Sequence, residues 1–80
     1  MQVRIRLMGV LRSKLPPGSQ GGMARLELET AATIAALLNQ LGISAGHVHL
    51  IQVNGVPETD RERRLSEGDE LVIFPPVAGG

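Results

Sequence analysis

The sequence predicts an α+β fold in which one helix packs across one twisted sheet. Three features carry that expectation. "VRIRL" and "ARLELE" alternate apolar and polar residues, "TIAALLNQLG" holds a single helical stripe, and "LIQVNG" and "ELVIF" supply further strands between polar turns.

The first strand covers Val3 to Leu7, with Val3, Ile5 and Leu7 facing the core and Arg4 and Arg6 on the other side. The second covers Ala24 to Glu29, with Ala24, Leu26 and Leu28 inward. Between them "LPPGSQGG" (Leu15 to Gly22) is rich in Pro, Gly and Ser, so the two strands form a hairpin with a long connection. The helix starts at Thr33 as N-cap and stops at Gly42. Ile34, Leu37, Leu38 and Leu41 recur at i, i+3, i+4 and i+7 and make its apolar stripe. "LIQVNG" (Leu50 to Gly55) is a third strand ending in an Asn54-Gly55 tight turn. "PETDRERRLSEGDE" is polar and turn-rich, with room for one short edge strand. "ELVIF" closes the sheet, Leu71 and Ile73 inward, Val72 and Phe74 outward.

Eighty residues suggest one domain with one modest core. At 42% hydrophobic and 20% charged the chain is globular, and its formal net charge of zero gives no global bias towards nucleic acid or membrane. Phe74 is the sole aromatic, so the core is left to Leu, Ile and Val, and platforms for stacking bases are missing. Cysteine is absent, which removes disulfides and thiolate chemistry and fits a reducing cytoplasm. No apolar run has the length of a membrane span, and "MQVRIRLMG" lacks a signal-peptide pattern.

Few residues offer chemistry. Gly21-Gly22 lacks the strand-to-helix setting of a phosphate loop and reads as plain loop. His47 and His49 would share a face on a strand, yet two ligands are short of a zinc site. "DRERR" (Asp60 to Arg64) mixes signs and reads as a solvated face. No catalytic arrangement of Ser, His and carboxylates can be assembled. Val72 and Phe74, by contrast, lie outward near the expected exits of Arg4 and Arg6, and with the ending that follows they read as a partner patch.

That ending is "LVIFPPVAGG". Pro75 and Pro76 cannot extend a ladder, so the domain is expected to span residues 1–74 and a flexible tail residues 75–80. Prolines keep the exit extended, and two glycines make the thinnest backbone end available. Extended, the tail reaches roughly 20 Å beyond the sheet. A terminal carboxylate is unreactive until an oxygen becomes a leaving group, as in a mixed anhydride with AMP. The tail therefore suits delivery of Gly80 into the enclosed pocket of another protein.

A helix on a sheet with a terminal Gly-Gly resembles the ubiquitin-like β-grasp sulfur carriers. "LSEGDELVIFPPVAGG", "LIQVNG", "ATIAALLNQLG" and "VLRSKL" resemble the small subunit of molybdopterin synthase within that family, over nearly the whole chain. The resemblance implies a mixed sheet of four to five strands. It implies adenylation of Gly80, aided by Gly79, by a ubiquitin-activating-type adenylating enzyme that uses ATP and Mg, with no cofactor bound by the chain itself. Conversion to a thiocarboxylate follows, and the large subunit of molybdopterin synthase takes the sulfur for molybdenum cofactor biosynthesis. In that scheme Phe74, Pro75, Pro76, Val77, Ala78, Val72, Arg12 and Met8 match partner-binding positions, and the chain is a carrier and substrate rather than an enzyme. Met8 stands where the family often has an aromatic, and "PPGSQGG" is richer in glycine than usual. The sulfur carrier of thiamine biosynthesis, serving thiazole synthase, shares the fold and terminus. A ubiquitin-like modifier joined to lysines, or a bare interaction domain, are the readings from other classes.

Overall fold

Alternation decides the centre of the sheet. In the computed structural model, which describes residues 1–77, Val3, Ile5 and Leu7 of β1 (Gln2–Leu7) are buried while Gln2, Arg4 and Arg6 are exposed. β2 (Met23–Glu27) runs antiparallel to β1, setting Val3 opposite Leu26 and Ile5 opposite Ala24. The strand expected to reach Glu29 stops at Glu27, yet Leu28 is buried. Its N–H donates to the Met1 carbonyl at 2.8 Å, and its own carbonyl accepts from the N-terminal ammonium at 2.7 Å.

β3 (Leu50–Val53), β4 (Val56–Pro57) and β5 (Glu70–Phe74) complete one five-stranded sheet in the order β2-β1-β5-β3-β4. β1 and β5 are parallel at its centre, and the remaining pairs are antiparallel, so the sheet is mixed. β4 is the short edge strand, placed at the very start of the polar stretch. Asn54 and Gly55, with φ of 53° and 84°, both take the left-handed conformation that a two-residue hairpin turn requires.

α1 (Ile34–Leu41) lies where the apolar stripe places it. The Thr33 hydroxyl accepts from the Ala36 N–H at 3.1 Å, satisfying one of the donors that a helix start leaves open. At the other end Gly42 N donates to Asn39 O and Ile43 N to Leu38 O, the bond pair of a Schellman ending. Ile34, Leu37, Leu38 and Leu41 press onto the inward residues of the sheet, so the core is Leu, Ile and Val throughout. No polar or charged residue is buried among the described residues.

Three stretches depart from expectation. Gly9–Lys14 forms a 3-10 helix that carries Leu11 into the core, inside what reads as connection. His47 ends a second 3-10 helix (Ala45–His47) and His49 precedes β3, so the pair shares no strand face. "DRERR" is more than a solvated face. The carbonyls of Arg63 and Arg61 accept from the first-turn N–H groups of Ile34 and Ala35 at 3.1 and 2.9 Å. This segment caps α1 from outside, held by an Arg63–Glu58 ion pair at 3.2 Å.

Candidate functional site

Parallel pairing of β1 and β5 brings their C-terminal ends out side by side, Leu7 opposite Ile73. Met8 follows β1 directly, and its N–H donates to the Ile73 carbonyl at 3.0 Å. Phe74 ends β5 and points to the outer face, half-buried, with Leu50 of β3 opposite it. One residue row earlier Arg6, Val72 and Gln52 stand abreast across β1, β5 and β3. The outer face is therefore apolar at the end from which the tail leaves, and cationic along β1.

The tail root is fixed by a close approach. Pro75 is half-buried against Gly9, whose φ is +54°; a Cβ there would stand 3.1 Å from the proline Cγ. Glycine suits the position twice over: it takes the left-handed backbone without strain, and a Cβ would require the proline ring to give by a few tenths of an ångström. Beyond that contact Pro76 is exposed and Val77 is 83% exposed, so the chain has left the sheet surface. The assignments made to Ala78, Gly79 and Gly80 lie outside the described residues.

Arg12 projects from the 3-10 helix after β1, exposed, with its guanidinium resting on Gly22. It shares a shallow cavity of about 180 Å³ with Arg6, Met8, Gly9 and Gly22. The structure thus gathers Met8, Arg12, Val72, Phe74 and Pro75 at one end of the sheet. Their expected neighbour Arg6 is there too, in register with Val72. Sequence reasoning missed Gly9, Leu50 and Gln52. The alternation in "LIQV" puts Leu50 and Gln52 on one face, but only the pairing of β3 with β5 shows that face to be Phe74's.

Among the described residues no three His, Cys, Asp or Glu side chains group as metal ligands, and no helix is long and apolar enough to cross a membrane.

One helix across a mixed five-stranded sheet, with the last strand running into an outbound tail root, defines a ubiquitin-like β-grasp domain. The chain belongs to the ThiS family, whose model matches residues 5–80. No curated protein matches it in sequence. SAMP1 from Haloferax volcanii is similar in structure, with a TM-score of 0.73 and 23% identity over 100% of both chains. A putative molybdopterin converting factor subunit 1 from Pyrococcus furiosus gives 0.71 and 19%, covering 95% of this chain and 98% of that one. In a Helicobacter pylori complex of subunits 1 and 2 of molybdopterin-converting factor, a chain matches at 0.64 and 21% over 100% of both. At these identities the likeness carries the fold alone.

Proposed function

We propose that this chain is a sulfur carrier whose residues 75–80 deliver the Gly80 carboxylate to an adenylating enzyme and then to a sulfur acceptor. The observation that carries the reading is the tail root: β5 ends at Phe74, Pro75 is seated on Gly9, and Val77 is exposed, within a family match that extends to residue 80.

The steps balance simply. A carboxylate oxygen of Gly80 attacks the α-phosphorus of ATP, which Mg escorts, and pyrophosphate leaves. A hydrosulfide-equivalent nucleophile then attacks the carbonyl of the acyl adenylate and expels AMP, leaving a thiocarboxylate. That sulfur attacks an electrophilic carbon of the acceptor and displaces an oxygen leaving group from it. Water then cleaves the resulting thioester, which restores the carboxylate and leaves the sulfur on the acceptor as a thiolate. The chain is a substrate throughout and binds no cofactor of its own. We assign the acceptor to molybdopterin synthesis, on the likeness to subunit 1 of molybdopterin converting factors and on "IFPPVAGG"; a large subunit then receives the tail. Cytoplasmic residence fits the ATP-dependent step.

Reconstitution with the adenylating enzyme of the same genome tests this. Wild type is expected to support ATP–pyrophosphate exchange and, with a sulfur source, to gain the mass difference between oxygen and sulfur. Sulfur passing to thiazole synthase and not to a molybdopterin synthase large subunit would move the chain to the thiamine pathway. The likeness to SAMP1, named in a second structure as a small archaeal modifier protein, favours a second reading as a protein modifier. Higher-mass lysine conjugates in place of thiocarboxylate are its signature.

A further inference from the structure

A formal net charge of zero hides a division along the chain: Arg4, Arg6, Arg12, Lys14 and Arg25 all precede the first acidic residue, Glu27. Folding brings the four arginines among them together, Arg4 beside Arg25 and Arg6 on one cavity with Arg12. Arg4 and Arg25 stand directly opposite each other in the β1–β2 register, and Arg6 faces Met23 one outward position further on. Like charges directly opposite on neighbouring strands destabilise the pair.

The chain offsets only part of this. Arg4 has Glu70 at 3.4 Å. Arg6 and Arg25 have no ion pair among the described residues; Arg6 Nη2 lies instead 3.1 Å from Met23 Sδ. The loop of Pro16 to Gln20 borders Arg4 and Arg25 and leaves an open cavity of about 410 Å³ beside them. The Arg12 guanidinium lies against Gly22, where a Cβ would stand 3.1 Å from its Nε.

We propose that the outer face of β1 and β2, centred on Arg6 and Arg25, docks an acidic surface of the adenylating enzyme. The inference rests on the carrier reading. Its argument is charge and continuity. Arg6 is in register with Val72, so the cationic row borders the apolar tail end without a gap. A partner seated on Phe74 covers the row as well, and covering unpaired guanidiniums is costly unless carboxylates meet them. A single-stranded nucleic acid would also supply anions, but the β1–β2 face has no aromatic on which its bases could stack, and duplex DNA, which binds through phosphates alone, is an outcome of the test. Such a row steers encounter and orients the partner, so it acts on association and leaves the chemistry at Gly80 alone.

The test compares Arg6→Glu/Arg25→Glu with Arg6→Lys/Arg25→Lys and with Arg64→Glu, an exposed cation outside the row, after melts confirm folding. Steady-state exchange by the adenylating enzyme is measured at low and high salt. The double glutamate variant is expected to raise KM for the carrier roughly tenfold or more at low salt with kcat unchanged. The gap narrows at high salt, the lysine variant stays near wild type, and Arg64→Glu has little effect. Unchanged KM, or an equal rise with Arg64→Glu, overturns the proposal. If wild type is not adenylated at all, the carrier reading fails and the face is judged separately, by titrating labelled protein with polyglutamate and with duplex DNA. Shifts at Arg4, Arg6 and Arg25 stronger with polyglutamate support an acidic protein surface; preference for DNA, or no shift with either, overturns it.

Discussion

Pro75 sits on Gly9 so closely that a Cβ on Gly9 would lie 3.1 Å from the ring Cγ, and Gly9 holds a φ of +54°. The contact sets the direction in which the chain leaves the sheet. Gly42 is a matched control: its φ is +73°, but nothing lies within 4 Å of the Cβ position. Gly9→Val and Gly42→Val are each expected to lose about 1–2 kcal/mol of stability to left-handed backbone strain. Only Gly9→Val should also slow adenylation, because only there does the side chain push on the tail. Denaturant melts beside exchange rates check this. Equal exchange for both variants would mean the tail root needs no fixed direction.

Asp69 ties the β3–β4 turn to the start of β5. Its carboxylate accepts from Asn54 Nδ2 at 2.9 Å and from Ser66 N at 2.8 Å, while Asn54 Oδ1 accepts from Glu70 N at 2.9 Å. Asp69→Ala removes one acceptor from each of two donors and is expected to cost about 1–2 kcal/mol. Because the clip lies at the end of β5 away from the tail, exchange kinetics should not change. A melt indistinguishable from wild type would show that water replaces the carboxylate at no cost.

Legibility in the sequence followed the kind of group that acts. Thr33, Gly42 and the stripe from Ile34 to Leu41 announced α1 because side-chain chemistry and period fix a helix and its ends. Leu71 and Ile73 announced the inner face of β5 for the same reason. The capping of α1 by residues 61 and 63 was invisible because backbone carbonyls do it, and every residue has one. Gly9 was silent because its partner, Pro75, is distant in sequence. Arg4 and Arg25 could be placed on outward faces, but their opposition needed the β1–β2 register.

Phe74 is half-buried on the outer face, opposite Leu50, and its carbonyl holds the His49 N–H at 2.8 Å. Phe74→Ala keeps that backbone bond and opens no core cavity, so the folding cost should be about 1 kcal/mol. In a partner interface a buried aromatic anchor is worth 2 kcal/mol or more, and roughly thirty-fold or greater loss of affinity is expected. Calorimetric melting and a binding titration with the adenylating enzyme, on one preparation, compare the two. A steep fall in Tm with unchanged affinity would make Phe74 a packing residue only.

On the carrier reading, changes at residues 78–80 are expected to separate delivery from folding. Deleting Gly80 moves the terminal carboxylate back by one residue, and exchange should be lost while Tm stays at the wild-type value. Gly79→Val is the finer probe, because it keeps the length and the terminal carboxylate. A β-branched residue stiffens the backbone and adds bulk beside the reacting carbonyl. In a narrow channel a displacement of about 1 Å can cost a hundredfold in rate. The variant should therefore melt like wild type yet form adenylate, and hence thiocarboxylate, far more slowly. Ala78→Val, one residue further from the carbonyl, should do less harm. Thiocarboxylate yield followed over time by intact mass ranks the three chains. If Gly79→Val keeps pace with wild type, the glycine pair is not matched to a tight channel, and the terminal carboxylate must be reached in a more open site.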